Sequence, residues 1–187
     1  MSQQFIEGFK PSAEQLQEAT LKWASDRGII QNGKPITQVQ KLASEVGELM
    51  DNIAKDRDIR DDVGDCIVVM VNVAGVLNLD ISEAMEFIDG YDHNNHDKKI
   101  FATLDRGLES IDILIGLGLL ARSIKGLYSN DHIAEYINEL IISLGWVVST
   151  YADFDLIDCW LHAYNDIKDR KGYLNENGNF IKEGDVE

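Results

Sequence analysis

Proline is almost absent from this chain, which favours long uninterrupted helices. Only Pro11 and Pro35 occur among the 187 residues, and each precedes a long apolar pattern with helical spacing. Proline inside a helix removes a hydrogen bond and clashes with the preceding turn, so the chain after Pro35 lacks the strongest helix breaker. The apolar periodicity predicts helices near 13–27, 37–55, 58–78, 81–92, 104–126, 131–152 and 155–170. The expected fold class is therefore all-α, a compact helical bundle.

Polar residues mark the expected ends of these helices. Ser12 or Thr37 should cap the helices that follow the prolines, and Asp58 and Asp131 resemble similar starts. Near the C-terminus, residues 172–181 alternate around an Asn-Gly pair, a pattern typical of a small β-hairpin. The hairpin is the one departure from helix that the sequence predicts.

Charge and composition limit the partners of this protein. Lys and Arg number 17 against 33 Asp and Glu, a formal charge of −16. Such a field repels nucleic acid and anionic membranes, so neither is expected as a partner. No signal segment is visible at the N-terminus, and no apolar run approaches the roughly 20 residues that span a bilayer. Cys66 and Cys159 lie in apolar helical patterns and are expected to be buried free thiols. We expect a cytoplasmic protein.

Two acidic pairs carry the clearest chemical signal. Glu45 and Glu48 flank a Val-Gly dipeptide, and Asp62 and Asp65 flank another. On a helix the members of each pair share one face, and both pairs border an apolar stripe. Carboxylates in such places repel one another unless a cation lies between them, and oxygen ligands without nearby His or Cys favour Mg²⁺, with Mn²⁺ as a substitute. A solvated helix face is the alternative for one pair, but two pairs on consecutive helices favour a metal site.

The two halves of the chain show similar patterns. When the sequence is shifted by 74 residues, residues 62–68, which begin with the second acidic pair, align with residues 136–142. Upstream, Glu45 corresponds to Gly116 and Glu48 to Leu119, so the second half keeps the helical plan but loses three of the four acids. Either the chain contains a duplication, or two amphipathic helical hairpins resemble each other by chance.

The acidic pairs and their surroundings resemble the MazG-like all-α nucleoside triphosphate pyrophosphohydrolases, a superfamily that includes dimeric dUTPases and phosphoribosyl-ATP pyrophosphohydrolases. Glu45-x-x-Glu48, thirteen residues, then Asp62-x-x-Asp65 matches its signature. Asn72 lies where these proteins often have an Asn, and residues 164–172 resemble their late Asn-x-x-Lys motif with its basic ending. The matches together extend over roughly residues 15 to 182.

Two departures from that pattern bear on the architecture. Asp62 stands where the family more often has Glu, which shortens its reach by one methylene. The Asn-x-x-Lys motif is missing after the first half, at residues 88–91, and is present after the second. Because family members commonly form dimers with a site completed across subunits, this chain resembles a fused, tandem pseudo-dimer. We therefore divide one helical domain, residues 1–187, into a metal-binding repeat (13–99) and a degenerate repeat with the basic segment (104–187). Assembly as a homodimer is compatible with this plan.

The resemblance implies magnesium-dependent hydrolysis of nucleoside triphosphates, NTP or dNTP, between the α- and β-phosphates. The products would be a monophosphate and pyrophosphate, and the role would be control of the nucleotide pool. Glu45, Glu48, Asp62 and Asp65 would bind the metal, and Glu45 or Glu48 would act as catalytic base towards water. The alternatives are a non-catalytic nucleotide- or magnesium-binding regulatory protein on the same fold, and a purely structural helical protein.

The remaining predicted site residues would contact the substrate. Lys168, also counted as catalytic, Asn165 and Arg170 lie in the late motif, where the two cations would neutralise the leaving group. Lys41 could do the same from the metal-binding helix. The candidates for sugar and base contacts are Trp23, Gln38 and Asn72. For Trp23 a core position, and for Gln38 a solvated helix surface, are the alternatives. A metal role for His93 and His96 is less favoured than a solvated connector.

Overall fold

The computed structural model describes Phe5 and residues 10–90, 105–127, 129–151 and 154–184. Over these ranges the fold is all-α apart from one hairpin, as the sequence predicts. The helices are α1 (Ala13–Asp26), α2 (Ile29–Asn32), α3 (Pro35–Ala54), α4 (Arg60–Leu77), α5 (Ser82–Gly90), α6 (Arg106–Arg122), α7 (Asn130–Ser149) and α8 (Leu156–Ile167), with a π-helical turn, Ser123–Leu127, after α6. The predicted hairpin is confirmed: β1 (Gly172–Leu174) pairs antiparallel with β2 (Phe180–Lys182).

One of the two predicted caps after the prolines is confirmed. Ser12 caps α1 in a capping box, in which its hydroxyl accepts from Gln15 N and the Gln15 side chain accepts from Ser12 N. The prediction for Thr37 is wrong, because α3 begins two residues earlier with Pro35 in its first turn. The fixed φ of proline suits that position, which needs no backbone donor. The Thr37 hydroxyl instead donates to the carbonyl of Asn177, 3.0 Å away.

Other helix starts differ from the predictions by one or two residues. Asp58 accepts from the backbone N–H of Arg60, but the residue that precedes α4 is Ile59. Asp131 lies inside the first turn of α7. The predicted break at 28–35 contains the short helix α2. His93 and His96 lie outside the described residues.

Helix α4 is the centre of the bundle because it is buried on every side from Cys66 to Ala74. It packs against α3 and α8 and also contacts α1, α2 and α7. Gly64 permits the approach of α8, since a Cβ at this position would lie 2.2 Å from the carbonyl oxygen of Cys159. The next residue of α8, Trp160, is fully buried, and its indole donates to the Thr20 hydroxyl of α1 at 3.1 Å. The acidic end of α4 thus lies in close contact with α8, and α4 also packs against α3.

Two further expectations can be compared with the structure. Cys66 and Cys159 are buried free thiols, as predicted, and burial raises the pKa of each well above its ordinary value. None of the helices in the described ranges is long and apolar enough to cross a bilayer.

Candidate functional site

A cavity of about 520 Å³ lies between α1, α3, α4 and the C-terminal hairpin. Most of the residues predicted from the sequence line it: Trp23, Gln38, Lys41, Glu45, Glu48, Asp65, Asn72 and Arg170. The rest of the lining was not predicted: Ile29, Asp61, Val68, Val69, Ile167, Asn179, Phe180, Ile181 and Lys182. The fold thus gathers at one place side chains from both ends of the chain.

The acidic wall of the cavity comes from α3 and α4. Glu45 is only 4% exposed, and its carboxylate forms an ion pair with Lys41 one helical turn earlier. A buried charge needs such a partner, because desolvation is otherwise costly. Glu48 is exposed one turn further along α3. Asp61 and Asp65 face the same cavity from α4, four residues apart and therefore on one helical face.

Burial and neighbouring negative charges oppose the ionisation of Asp65 in this wall and of Asp62 next to it. The pKa of Asp65 is raised to about 7, first by burial and then by the negative charges of Glu45 and Asp61. The pKa of Asp62 is also raised, chiefly by burial, although a hydrogen bond from Asn52 partly offsets the effect. A cation placed among these groups would remove the repulsion.

The donor atoms fit Mg²⁺, although they are not yet arranged around one point. Within the described ranges, no group of three or more His, Cys, Asp and Glu side chains is positioned to hold a metal ion. Glu45 is turned to Lys41, and Asp62 does not line the cavity but accepts from Asn52 at 2.8 Å. The available ligands are carboxylate oxygens, the type that Mg²⁺ and Mn²⁺ prefer. Binding a metal would therefore require Glu45 and Asp62 to rotate away from Lys41 and Asn52.

Asn72 presents an unsatisfied amide to the cavity. The residue is 3% exposed, and its Oδ1 has no hydrogen-bond partner among the described residues. Gln38, which is 6% exposed, lies in the same wall on α3. A buried polar atom without a partner is destabilising by about 1–3 kcal/mol, and a bound ligand with complementary groups can satisfy it.

An aromatic pair closes the opposite side of the cavity. The ring of Trp23 meets that of Phe180 edge-to-face, with centroids 5.9 Å apart, and its indole N–H donates to the Ile167 carbonyl at 2.8 Å. The Arg27 guanidinium lies 4.8 Å from the Trp23 ring and its Nε donates to the Arg170 carbonyl at 2.9 Å. These contacts tie the end of α1 to the chain that leaves α8, and so fix where Arg170 enters the cavity.

The C-terminal hairpin forms the remaining wall and is anchored at its turn. Lys34 Nζ donates to the Glu176 carbonyl at 3.3 Å, beside the bond from Thr37 to the next carbonyl. Gly178 has a φ of +80° and packs against the backbone that leads into α3. This anchoring places Asn179 to Lys182 along the cavity. The Asn-Gly signal predicted the hairpin, but no local signal indicated where it would dock.

Two predicted residues of the late motif lie elsewhere. Lys168 Nζ donates to Asn165 Oδ1 at 2.7 Å, and neither residue lines the cavity. Arg170 does line it, and its guanidinium is paired with Asp166. Of this motif, Arg170 is thus the cation that the fold brings to the acidic wall.

A second, smaller groove of about 280 Å³ lies between α6 and α7. The residues that line it are Asp112, Ile115, Gly116, Leu119, Glu139, Ile142, Ser143 and Trp146. In the register of the sequence repeat, Gly116 and Leu119 occupy the positions of Glu45 and Glu48, while Glu139 and Trp146 occupy those of Asp65 and Asn72. The two grooves therefore use equivalent positions, and of the four acidic positions of the first repeat the second keeps an acid at that of Glu139.

The chain is similar to an uncharacterised 18.2 kDa protein from the rep-hol intergenic region of Haemophilus phage HP1 (strain HP1c1). The two sequences are 33% identical over 122 residues, which cover 60% of this chain and 73% of the phage protein. The chain belongs to the family of this phage protein. No family model matches the chain, and no solved structure matches it. What this phage protein family does must therefore be argued from the cavity.

Proposed function

We propose that this protein is a magnesium-dependent nucleoside triphosphate pyrophosphohydrolase of the MazG-like type. The observation that carries the proposal is the composition of one cavity. Carboxylates on α3 and α4 form one side, Arg170 and Lys182 approach from the other, and an unsatisfied buried amide lies deeper between them. A metal–triphosphate complex combines the cationic, anionic and hydrogen-bonding groups that complement these three features.

Charge explains why a metal is needed. The chain has a formal net charge of −16, and a triphosphate carries about four negative charges, so the two would repel each other without a cation between them. Glu45, Glu48, Asp62 and Asp65 would hold the ion after Glu45 turns away from Lys41 and Asp62 from Asn52. Bound there, magnesium would neutralise phosphate oxygens and acidify an attacking water.

The residues of the chain would then divide the remaining tasks. Glu48 is exposed in the cavity wall while Glu45 is paired with Lys41, which favours Glu48 as the base that takes the proton from water. Arg170 would orient and neutralise the departing pyrophosphate. Asn72 and Gln38 would bind the nucleoside, with Trp23 and Phe180 as apolar walls. Attack between the α- and β-phosphates would yield a monophosphate and pyrophosphate.

The second groove supports the proposal of a fused pseudo-dimer. Its lining uses the positions equivalent to those of the cavity, but glycine and leucine replace two of the carboxylates. A duplicated helical unit that kept chemistry in one copy would leave this arrangement. We place the reaction in the cytoplasm, where triphosphates and Mg²⁺ are abundant, and a role in the nucleotide pool is compatible with a family that includes a phage protein.

The test is pyrophosphate release from canonical and modified NTPs and dNTPs in the presence of Mg²⁺. Glu48→Gln and Asp65→Asn should each reduce the rate at least 100-fold, whereas Glu86→Gln, which neutralises an exposed acid on α5, should leave it unchanged. Undiminished rates in both cavity variants would refute the site. Magnesium-dependent nucleotide binding without release from any substrate would instead identify a non-catalytic regulatory protein.

A second comparison separates the cations of the late motif. Arg170→Ala should lower turnover strongly with little change in metal affinity, because Arg170 lines the cavity. Lys168→Ala should also reduce turnover if Lys168 turns from Asn165 to the phosphates when substrate binds. Unchanged kinetics in both variants would show that the second half contributes no phosphate contact.

A further inference from the structure

The outward face of α6 is apolar although it contacts solvent. Leu108 is 70% exposed, Ile111 48%, Leu114 43% and Ile115 55%. The inward face is apolar as well and packs into the bundle. A helix with apolar residues on both sides has more apolar surface than the other described residues cover, which indicates a partner.

Trp146 of α7 extends this patch. It is 40% exposed and lines the smaller groove together with Ile115, so the two helices present one continuous surface. The five exposed side chains contribute roughly 500 Å² of apolar surface, near the upper limit for the largest patch of a typical monomer. A standard interface covers about 800 Å² on each partner, so this patch would supply most of one.

The groove between α6 and α7 differs from the acidic cavity in how it is covered. The acidic cavity is closed by Trp23 and by the hairpin, whereas every residue that lines the smaller groove belongs to α6 or α7. Gly116 and Leu119 occupy two of its four carboxylate positions, while Asp112 and Glu139 remain in its lining. The change from acid to apolar residues removes part of the charge that would oppose contact with another apolar surface.

We propose that two copies of the chain form a symmetric dimer in which α6 packs antiparallel against α6 of the second copy. A two-fold axis near Leu114 and Ile115 would place Ile111 of one copy over Gly118 of the other. A Cβ added at Gly118 would meet no atom within 4 Å, so the helix has a hollow at this point on its exposed face. A protruding residue opposite a hollow is the self-complementarity that a two-fold interface requires.

The charges along α6 select the antiparallel direction. Asp112 lies on the exposed side of α6 in its N-terminal half, and Arg122 and Lys125 lie at and just beyond its C-terminal end. Antiparallel packing brings Asp112 of each copy towards these cations of the other, whereas parallel packing would oppose like charges. Because each copy carries −16 in total, a local arrangement of opposite charges is needed for self-association.

The oligomeric state tests this interface independently of any activity. Sedimentation equilibrium of the full chain should give twice the mass of the 21.0 kDa chain at micromolar concentration. Ile115→Asp should give a monomer with an unchanged far-UV circular dichroism spectrum. Ile36→Asp, at a comparably exposed isoleucine on α3 (48%), should remain dimeric. A wild-type monomer at all concentrations, or a dimer unaffected by Ile115→Asp, would overturn the proposal.

Single cysteines test the geometry even if Ile115→Asp does not fold. The native thiols are buried, so a new surface cysteine is the one that reacts. Two copies of Ile115→Cys would lie beside the two-fold axis and should be joined efficiently by a short bis-maleimide. Two copies of Leu108→Cys would be about 20 Å apart along the helices, at 1.5 Å per residue, and should not be joined. Efficient linkage at position 108 but not at 115 would refute the antiparallel register.

Discussion

Neutralising Asp65 should stabilise the metal-free protein while removing its response to magnesium. Asp65 is partly buried, and its pKa is raised to about 7 by burial and by the charges of Glu45 and Asp61. In the unfolded chain the same carboxyl would titrate near its ordinary value. Asp65→Asn keeps the shape of the side chain but removes the charge that the folded state holds at a disadvantage.

The magnitude follows from the interval between the two pKa values. A carboxyl whose pKa rises from 3.8 to about 7 on folding opposes folding by about 1.4 kcal/mol for each pH unit of that interval. Above pH 7 the total is about 4 kcal/mol. Since solvent reaches part of the group and screens its charge, about 2–4 kcal/mol is expected. A raised carboxyl pKa leaves stability intact below about pH 4, reduces it progressively as the pH rises from about 4 to 7, and has its full effect above pH 7.

The assay is urea unfolding of the metal-free chain in EDTA at pH 4.5 and pH 8. At pH 8, Asp65→Asn should raise the free energy of unfolding by about 2–4 kcal/mol, and at pH 4.5 the gain should fall below about 1 kcal/mol. Glu86→Gln should change little at either pH. Adding Mg²⁺ at pH 8 should stabilise the wild type and leave Asp65→Asn almost unaffected.

An Asp65→Asn chain that is less stable than the wild type at pH 8 would refute this reasoning. It would mean that the ionised carboxylate has favourable contacts in the metal-free state, which outweigh its burial and its repulsion by Glu45 and Asp61. A gain of equal size at both pH values would assign the effect to packing rather than to charge.

Two other predictions concern the packing and the cavity. Gly64→Ala should destabilise the chain by about 2–3 kcal/mol in urea unfolding because its Cβ would collide with the Cys159 carbonyl, whereas Gly47→Ala, with open space at its Cβ, should stabilise α3 by up to about 1 kcal/mol. Equal effects would mean that α4 and α8 are not in close contact. Asn72→Leu should raise metal-free stability by about 1 kcal/mol and weaken nucleotide binding in calorimetry at least tenfold, and unchanged affinity would remove Asn72 from the ligand site.

The helices could be predicted because their signals are local. Proline, Ser12 and the apolar period act within one or two turns, so the predicted and observed bounds differ by few residues. Thr37 was assigned wrongly because proline at the first helical position competes with a cap two residues later. The position of the hairpin depends on contacts between residues about 140 apart in the chain, which no local pattern reveals.

For the site, the sequence predicted which helices contribute but not which of their side chains face the cavity. Neighbouring residues on a helix point about 100° apart, so the choice between Asp61 and Asp62 depends on how α4 turns against α8. That rotation is set by the close contact at Gly64. Similarly, the direction of the chain after α8 decides that Arg170, rather than Lys168, lines the cavity. Tertiary packing controls both outcomes.

The anchoring of the hairpin has a consequence for the order in which the protein folds. Trp23 bonds to Ile167, Arg27 to Arg170 and Thr37 to Asn177, contacts that close loops of 144, 143 and 140 residues. Contacts of such long range form late, because the entropy of closing the loop must be overcome after local helices have formed. During synthesis the acidic helices are complete well before the arginine and the hairpin emerge. A nascent chain would therefore carry the carboxylates without the opposing wall, and competence to bind a nucleotide would arise only in the last step of folding.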